Sequence, residues 1–300
     1  MLNNKSFKVA GIGEILWDIL PTGKQLGGAP ANFAYHSGML RLQSHIVSAV
    51  GNDSSGMQII DQLNKNRLGT ENITVIDKKV TGSVDVSIDQ QGKPQYLIHE
   101  DVAWDYIPFS NKNQNMIRKL DALCFGSLAQ RSPVSASSIQ KMVQIAPDWC
   151  LKIFDINIRL NYYTMDMIEK SLKISNCLKL NEDEFSLIAK MFSYSGSEEK
   201  IIANILDNFE LDLIALTKGK SGSSLYAKNG VSVMKSPTIT IVDTVGAGDS
   251  FTAAMCLGLL QNYPIDRIHQ MANRMAAYVC TKMGATPKIT DDLLSQLINE

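Results

Sequence analysis

The sequence predicts an α/β fold: a doubly wound, mostly parallel sheet flanked by helices, with a small β lid. Three observations lead to this prediction. Short apolar segments rich in Val, Ile and Leu recur along the chain, segments with helical spacing separate many of them, and one region alternates polar and apolar residues instead. Strands that alternate with helices form parallel sheets covered on both faces.

Six apolar segments, each ending in glycine or polar residues, are predicted to be strands of the main sheet. They are FKVAGIG, HIVSAVG, DALCFGS, LKIFDIN, NCLKLNE and LDLIALTKG. Helices are predicted for residues 56–68, 135–145 and 183–191, and residues 248–299 are predicted to be nearly all helix. Ligands of open α/β sheets bind beyond the carboxyl ends of the strands. The candidates to line a site are therefore the residues at those ends: Gly13, Gly51, Gly126, Asn157, Asn181 and Thr217.

Two alternating regions are predicted to form the small sheet. In residues 81–100, Val84, Val86 and Ile88 alternate with polar residues, and a turn at DQQGKP and a second alternating run follow, which indicates a β-hairpin. Residues 13–21 also alternate, with Ile15, Trp17 and Ile19 on one face. These strands either extend the edge of the main sheet or form a lid, made of about residues 13–29 and 81–107.

Composition excludes several classes of protein. The chain has 300 residues, enough for one large domain or two modest ones, and 29 Lys and Arg nearly balance 30 Asp and Glu. No global field therefore attracts nucleic acid or an anionic membrane. The five cysteines form no CxxC pair, so we expect buried free thiols in a reducing compartment. The N-terminus does not resemble a signal peptide and no apolar run approaches the ~20 residues that span a bilayer, so a cytoplasmic location is expected.

The segment DTVGAGDSF, residues 243–251, places Asp249 directly behind a glycine-rich turn that opens a predicted helix. Unpaired backbone N–H groups and the helix dipole make such a turn an anion site, and no GxxxxGK[ST] loop occurs in the chain. On this interpretation the turn receives negative charge from a transferring phosphoryl group, and Asp249 accepts the proton of the alcohol. Alternatively, Asp249 only satisfies the helix N-terminus. The segment alone leaves both interpretations open.

The segment GGAPANFA, residues 27–34, together with DTVGAGDSF closely resembles the two signature regions of the ribokinase-like (PfkB) family of sugar and nucleoside kinases. VGNDSSG, KLNEDE and TKGKSGS resemble further family segments in the expected order, so the resemblance covers essentially the whole chain. It implies a single ribokinase-like kinase domain over residues 1–300, with a small β lid. It also implies ATP-dependent phosphorylation of a hydroxymethyl group.

The resemblance implies a role for each residue that matches a family motif. For catalysis it implies Asp249 as the base, with Gly246, Ala247 and Gly248 as the anion hole. For the sugar it implies contacts from Asp18, Gly27, Gly28 and Asn32, where the glycines let the backbone approach closely. For the nucleotide it implies Asn181, Glu184, Thr217, Gly219 and Gly222.

Several of these roles have a structural alternative. Asn181 and Glu184 would place magnesium and phosphate mostly through water, yet their spacing also fits a capping box, and both roles can hold together. Thr217 either contacts the nucleotide or only ends a strand, and the sequence favours neither. Asn273 either faces the adenine or lies at the surface. Asp243 and the KMGA turn, residues 282–285, resemble a monovalent-cation loop, which implies stimulation by K⁺.

Four segments resemble fructokinase-type members most: GEILWDILP, LGGAPANFAYH, HEDVAWDYI and DINIRLNYY. Arg159 then contacts phosphate or sugar oxygens, or else forms a surface salt bridge. Trp104 caps the sugar, or else belongs to the lid core or an interface. The product would be fructose 6-phosphate. The short linker DILPTGKQ, and a leucine where such sequences often have proline, depart from this pattern.

Other functions remain open at this stage. The acceptor could instead be another small sugar, a sugar acid or a nucleoside, such as ribose, 2-keto-3-deoxygluconate or adenosine. The mechanism of phosphoryl transfer would then be the same. A non-catalytic sugar- or nucleotide-sensing protein is a different class, which the retained Asp249 and its turn disfavour. GIGE lacks the remaining glycine of GxGxxG, so a dinucleotide oxidoreductase is disfavoured. Hydrophobic lid strands with an exposed edge predict a homodimer through the lid.

Overall fold

The computed structural model describes residues 6–88, 94–228 and 230–299, which form two sheets and their flanking helices. The strands are β1 (Lys8–Ile12), β2 (Leu16–Leu20), β3 (Gly23–Gly27), β4 (Gln43–Gly51), β5 (Ile73–Ile76), β6 (Ser83–Ile88), β7 (Pro94–Ile98), β8 (Ala122–Phe125), β9 (Leu151–Asp155), β10 (Cys177–Asn181), β11 (Leu213–Thr217), β12 (Ser223–Ala227) and β13 (Gly230–Met234). The helices are α1 (Ala29–Met39), α2 (Ser54–Lys65), α3 (Asn111–Ile117), α4 (Pro133–Ile145), α5 (Met165–Lys173), α6 (Glu182–Met191), α7 (Glu198–Asn208), α8 (Ala247–Leu260), α9 (Ile265–Cys280) and α10 (Asp291–Asn299).

The main sheet contains all six predicted strands, in the order β13-β12-β11-β10-β9-β8-β1-β4-β5 over the described residues. Neighbours from β5 to β11 pair in parallel, and β12 and β13 add an antiparallel edge. After β1 the chain builds β4 and β5 on one side, then returns to place β8 on the other. Ligand sites of open α/β sheets lie at such a reversal.

The main sheet is apolar because both of its faces are covered. One cluster of buried side chains includes Phe125 and Phe154, whose rings stack with centroids 5.1 Å apart. A second cluster on α1 and α8 includes Phe33 and Phe251. Strands buried on both faces must be apolar almost throughout, which is why they could be predicted from sequence.

The predicted helices are present with shifted starts. Residues 56–68, 135–145 and 183–191 correspond to α2, α4 and α6, which begin one or two residues earlier. In α2 the start is set by Asp53, whose side chain accepts a hydrogen bond of 2.7 Å from the N–H of Gly56. The C-terminal part is mainly helical, as α8, α9 and α10, with a loop over residues 281–290.

The small sheet has the order β3-β2-β6-β7 and is separate from the main sheet, so the edge-extension alternative is wrong. β6 and β7 form the predicted antiparallel hairpin, with Val86 opposite Tyr96. The predicted turn DQQGKP falls mostly on residues 89–93, which lie outside the described residues. Trp17 is buried and donates a hydrogen bond from Nε1 to the carbonyl of Ser55 in α2, whereas Ile19 is exposed.

The cysteines are free thiols, as predicted. Four of them are buried, and burial raises the pKa of Cys150 to about 12. No group of three or more His, Cys, Asp and Glu side chains suited to a metal occurs among the described residues. None of the helices in the described ranges has the length and hydrophobicity needed to cross a membrane.

Candidate active site

A cavity of about 1620 Å³ lies between the carboxyl ends of the main-sheet strands and the inner face of the small sheet. Of the predicted strand-end residues, Asn157, Asn181 and Thr217 line it. The glycines that end the other three strands do not line it, and for these the prediction is wrong: Gly13, Gly51 and Gly126. They are packed closely instead; a Cβ on Gly51, for example, would lie 2.4 Å from the carbonyl oxygen of Lys79.

Asp249 lies in the first turn of α8 and faces this cavity. Its Oδ2 accepts a hydrogen bond of 2.8 Å from Nδ2 of Asn32, which is buried in α1. Gly246 is the N-cap of α8 and no side chain caps the helix, so the simple capping role for Asp249 is wrong. Burial raises the pKa of Asp249 to about 6, helped by the nearby charge of Asp155. The carboxylate is therefore ionised at neutral pH and still basic enough to accept a proton.

The glycine-rich turn adopts a conformation that requires glycine. Gly246 has φ 76°, and a Cβ there would lie 2.3 Å from the carbonyl oxygen of Ala285. In the described part of the chain, no acceptor hydrogen-bonds the backbone N–H of Gly246 or Gly248. Free N–H groups at a helix N-terminus are a preformed anion site. The N–H of Ala247, also predicted for the anion hole, bonds the carbonyl oxygen of Thr244 at 3.3 Å. The free N–H groups of Gly246 and Gly248 are consistent with the anion hole, which stays a prediction.

Lys179 lines this end of the cavity and is paired with buried Asp155, which does not line it; sequence reasoning missed both. Lys179 on β10 is paired in register with Asp155 on β9, and Nζ lies 3.0 Å from Oδ1. Thr252 donates to the other oxygen of Asp155 at 2.8 Å. Lys179 Nζ also lies only 2.8 Å from where a Cβ on Gly248 would be, so the ammonium group sits against the turn.

The charge of Lys179 persists although the side chain is buried. Burial alone would lower its pKa, but the carboxylates of Asp155, Glu184 and Asp249 outweigh burial and raise it. A fixed cation beside free N–H groups would stabilise negative charge that develops on a transferring group. The signal in the sequence was a lysine within the apolar strand CLKLN, since a buried lysine is rare unless it is paired.

The end of the cavity where sugar contacts are predicted is formed by residues around α1 and β2. Asp18, Gly28, Asn32 and Arg159 all line it. Burial raises the pKa of Asp18 to about 6, although the positive charge of Arg159 acts to lower it. Gly27 lies behind this surface: a Cβ on it would be 2.2 Å from Oδ2 of Asp18, so glycine leaves the space that this carboxylate occupies.

Glu14 and Arg159 are two further ionisable residues at this end. Glu14, which sequence reasoning missed, is 1% exposed and lines the cavity. Burial raises its pKa to about 7. Arg159 is exposed and donates a hydrogen bond of 3.0 Å to the carbonyl of Ile158. It forms no ion pair with the described residues, so the surface salt bridge that was its alternative is absent there.

Trp104 does not contact the cavity, so its predicted role in capping the sugar is wrong. The side chain is 0% exposed and belongs to the main core cluster. The 3₁₀ segment Ala103–Tyr106 turns inward at the base of the lid, which brings the ring against the guanidinium of Arg131 at 3.9 Å. Arg131 in turn pairs with buried Asp105 at 2.9 Å. Trp104 is therefore a core residue, in a cluster that the main sheet and the small sheet share.

At the end predicted to hold the nucleotide, Asn181 and Glu184 form the predicted capping box and both line the cavity. Oδ1 of Asn181 accepts from the N–H of Glu184 at 2.9 Å, and Oε2 of Glu184 accepts from the N–H of Asn181 at 2.8 Å. Oε1 of Glu184 accepts from the N–H of Ile158 at 3.0 Å. Both carboxylate oxygens are therefore engaged, which favours contact with a metal through water over direct coordination.

Thr217, Gly219, Gly222 and Asn273 also line this end of the cavity. Gly219 has φ 50° and Gly222 has φ 111°, and a Cβ on Gly222 would lie 2.0 Å from the carbonyl oxygen of Met234. Asn273 on α9 accepts a hydrogen bond of 2.8 Å from Ser223, so it lies in the cavity wall. The surface alternative for Asn273 is therefore wrong.

Asp243 connects the glycine-rich turn to the loop after α9. One oxygen accepts from the N–H of Val245 at 3.1 Å and the other from the N–H of Gly284 at 3.0 Å. Buried His36 binds the same loop, with Nε2 2.9 Å from the carbonyl oxygen of Ala285. This arrangement brings together the residues predicted for a monovalent-cation loop, and that role stays a prediction.

A doubly wound sheet, a small separate sheet, and a carboxylate beside an open helix N-terminus are the features expected of an α/β phosphotransferase. Residues 21–292 match the family model described as pfkB family carbohydrate kinase, and the chain belongs to this family. The sequence-based recognition of the family and of its fold is thereby confirmed.

Similar proteins agree with this assignment. The chain is 30% identical over 307 residues to a sugar kinase of Pyrococcus horikoshii, covering 95% of this chain and 94% of that protein. It is 26% identical over 293 residues to a fructokinase of Salmonella typhimurium, covering 94% of each. The structure of the P. horikoshii sugar kinase in complex with ATP superposes with a TM-score of 0.82 at 28% identity, over 96% of this chain and 97% of that one.

Proposed function

We propose that this protein transfers the γ-phosphoryl group of ATP to the hydroxymethyl group of a sugar, with fructose as the acceptor and fructose 6-phosphate as the product. The observation that carries the proposal is the position of Asp249, beside the free N–H groups of the Gly246 turn and near the Lys179 ammonium. The fructokinase from S. typhimurium supports the choice of fructose. A cytoplasmic location suits both substrates.

The residues at the nucleotide end fit ATP and magnesium. The free N–H groups of the turn suit the phosphates, and Asn181 and Glu184 would hold Mg²⁺ through water. When bound, Mg²⁺ neutralises charge on the phosphate oxygens. Asp243 and residues 282–285 would hold K⁺ beside the turn, where it would orient the loop that supports Gly246. The ATP complex of the P. horikoshii sugar kinase supports ATP as the donor.

The chemistry of the acceptor follows from the geometry of Asp249. Asn32 holds one oxygen of Asp249 at 2.8 Å. The other oxygen has no hydrogen-bond partner among the described residues, so it can orient the hydroxyl and accept its proton. Lys179 and the turn then stabilise the negative charge of the transferring phosphoryl group. Asp18 and Gly28 would position the other hydroxyls, and the lid would exclude water.

The test is ADP release from MgATP against fructose, ribose, glucose, mannose, 2-keto-3-deoxygluconate and adenosine, with and without K⁺. We expect fructose to be turned over fastest among these small acceptors. Faster turnover of another acceptor would keep the kinase assignment and correct the substrate. Binding of a sugar by calorimetry without any ADP release would favour the sensing alternative and reject the kinase.

We also propose a homodimer formed through the lid. Ile19 and Leu97 are 38% and 60% exposed on the outer face of the small sheet, and both lie next to Asp85 in register. β3 and β7 are the two edge strands of this sheet among the described residues, and sheet edges are sites where a second chain can pair. Light scattering at assay concentration should give twice the mass of the chain. A mass of one chain at that concentration would reject the dimer.

A further inference from the structure

Buried His36 is an ionisable side chain to which the proposed mechanism gives no part. It is 0% exposed and lies in α1 one helical turn after Asn32, so the two side chains share a face of the helix. Burial lowers the pKa of His36 to about 4, although the carbonyl group of Ala285 acts to raise it. The ring is therefore neutral at pH 7 and carries a single N–H group.

The contact with Ala285 identifies the ring nitrogen that carries this hydrogen. Nε2 of His36 lies 2.9 Å from the carbonyl oxygen of Ala285. A carbonyl oxygen only accepts, so Nε2 is the donor and Nδ1 is unprotonated. Nδ1 is buried and has no hydrogen-bond partner among the described residues. An unpaired buried nitrogen lowers stability, so stability alone does not account for a histidine at this position.

Ala285 in turn packs against the glycine-rich turn. Its carbonyl oxygen and Cα lie 2.3 and 2.7 Å from where a Cβ on Gly246 would be. The same loop is held from the other side by Asp243, which accepts a hydrogen bond of 3.0 Å from the N–H of Gly284. Within the described ranges, His36 is the one donor to the carbonyl of Ala285. A loss of this donor would therefore release the backbone that packs on Gly246.

Helix α1 thus connects two parts of the candidate active site. Asn32 donates to Oδ2 of Asp249 at 2.8 Å, and His36 binds the loop that supports the turn. Because both side chains project from one face of one helix, the carboxylate and the turn are held at a fixed spacing. Phosphoryl transfer depends on this spacing, since a misplacement of about 1 Å can lower a rate 10²-fold.

We propose that His36 is a positioning residue for phosphoryl transfer. By donating to the carbonyl of Ala285, it holds the glycine-rich turn in the conformation that leaves the N–H groups of Gly246 and Gly248 open to the transferring group. The inference rests on the proposed kinase function, in which this turn receives the negative charge. His36 acts through Ala285 and touches neither the acceptor nor the nucleotide.

The experiment compares His36→Gln with His36→Asn, two neutral amides that differ by one methylene. The amide nitrogen of glutamine can reach the position of Nε2, whereas that of asparagine stops near the position of Nδ1. With fructose, or whichever acceptor is turned over fastest, His36→Asn should lower kcat by about 10–10²-fold. The KM values for the acceptor and for MgATP should change little. His36→Gln should retain most of the rate.

The matched control is Ser44→Ala. Ser44 is also buried and donates a hydrogen bond of 2.6 Å to a carbonyl of α1, that of Ala34, but it does not line the cavity or contact the turn. Its loss should lower the melting temperature and leave kcat unchanged. A kcat that falls in step with the melting temperature in all three variants would mean that His36 serves folding alone, and would overturn the inference. Failure of both His36 variants to fold would do the same.

Nitrogen NMR of the unchanged protein gives a reading that needs no turnover. The imidazole of His36 should show a protonated Nε2 and an unprotonated Nδ1 at neutral pH. The opposite tautomer, or equal kcat values for the asparagine and glutamine variants, would overturn the inference while the kinase stands. If the unchanged protein releases no ADP with any acceptor, the kinase function is rejected and the positioning role with it. The tautomer would then still report whether His36 holds the loop.

Discussion

Replacing Asp249 with asparagine is expected to lower kcat by about 10²–10⁴, the usual contribution of a general base. The amide cannot accept the proton of the acceptor hydroxyl, although it has nearly the same shape as the carboxylate. Acceptor binding should survive because Asp18, Gly28 and Arg159 line the same cavity independently. Single-turnover kinetics and acceptor titration by calorimetry measure the two effects separately. Turnover close to that of the unchanged enzyme would reject Asp249 as the base.

The same substitution should not harm folding, which separates catalysis from stability. The pKa of Asp249 rises from 3.8 to about 6 in the folded state. The folded protein then binds the proton more tightly than the unfolded chain, so stability falls as pH rises from about 4 to about 6 and stays lower above that range. The neutral asparagine avoids this cost at pH 7. Its melting temperature should equal or exceed that of the unchanged protein.

Asp291→Asn is the matched control because Asp291 is exposed in the first turn of α10. It removes a carboxylate from a helix start without touching the cavity, and should leave kcat unchanged. The pH profile is a consistency check: kcat/KM should fall at least tenfold per pH unit below pH 6 as Asp249 takes up its proton, and Asp18 in the same cavity also titrates near pH 6. A profile that is flat down to pH 5 would contradict the assignment.

The strands and the glycine-rich turn could be predicted because local sequence determines them. A strand buried on both faces must be apolar, and glycine is favoured at Gly246 because its φ of 76° is positive. The capping box of Asn181 and Glu184 was likewise predictable from spacing. Local rules could not show that both oxygens of Glu184 are already engaged, since one partner, Ile158, comes from a distant loop.

The charged pair behind the turn could not be predicted from local patterns. Asp155 and Lys179 belong to different strands, and their contact depends on the register of β9 against β10. For Trp104, the local pattern predicted a contact with the cavity that the structure does not have. An aromatic residue after a lid strand suits a sugar site, but the chain turns inward there and buries the ring against Arg131. Where a side chain points relative to the cavity was decided by tertiary packing.

Replacing Lys179 with methionine is expected to have two effects. It removes the cation that lies against the turn, so kcat should fall by about 10²–10³, as when one preorganised donor is lost from a charge-stabilising site. It also leaves Asp155 buried without its partner, which should lower the free energy of unfolding by about 3–5 kcal/mol. Urea denaturation and single-turnover kinetics measure these effects on the same preparation.

The double variant Lys179→Met with Asp155→Asn separates the two effects. It removes both charges together, and the amide oxygen of the new asparagine can still accept the hydrogen bond that Thr252 donates to Asp155. Neutral groups in place of a buried ion pair are often tolerated, so the free energy of unfolding should recover most of its loss. Turnover should stay low because no cation remains beside the phosphoryl group. If turnover recovered together with stability, Lys179 would act only by balancing the charge of Asp155, and the turn would have to stabilise the transferring group without it.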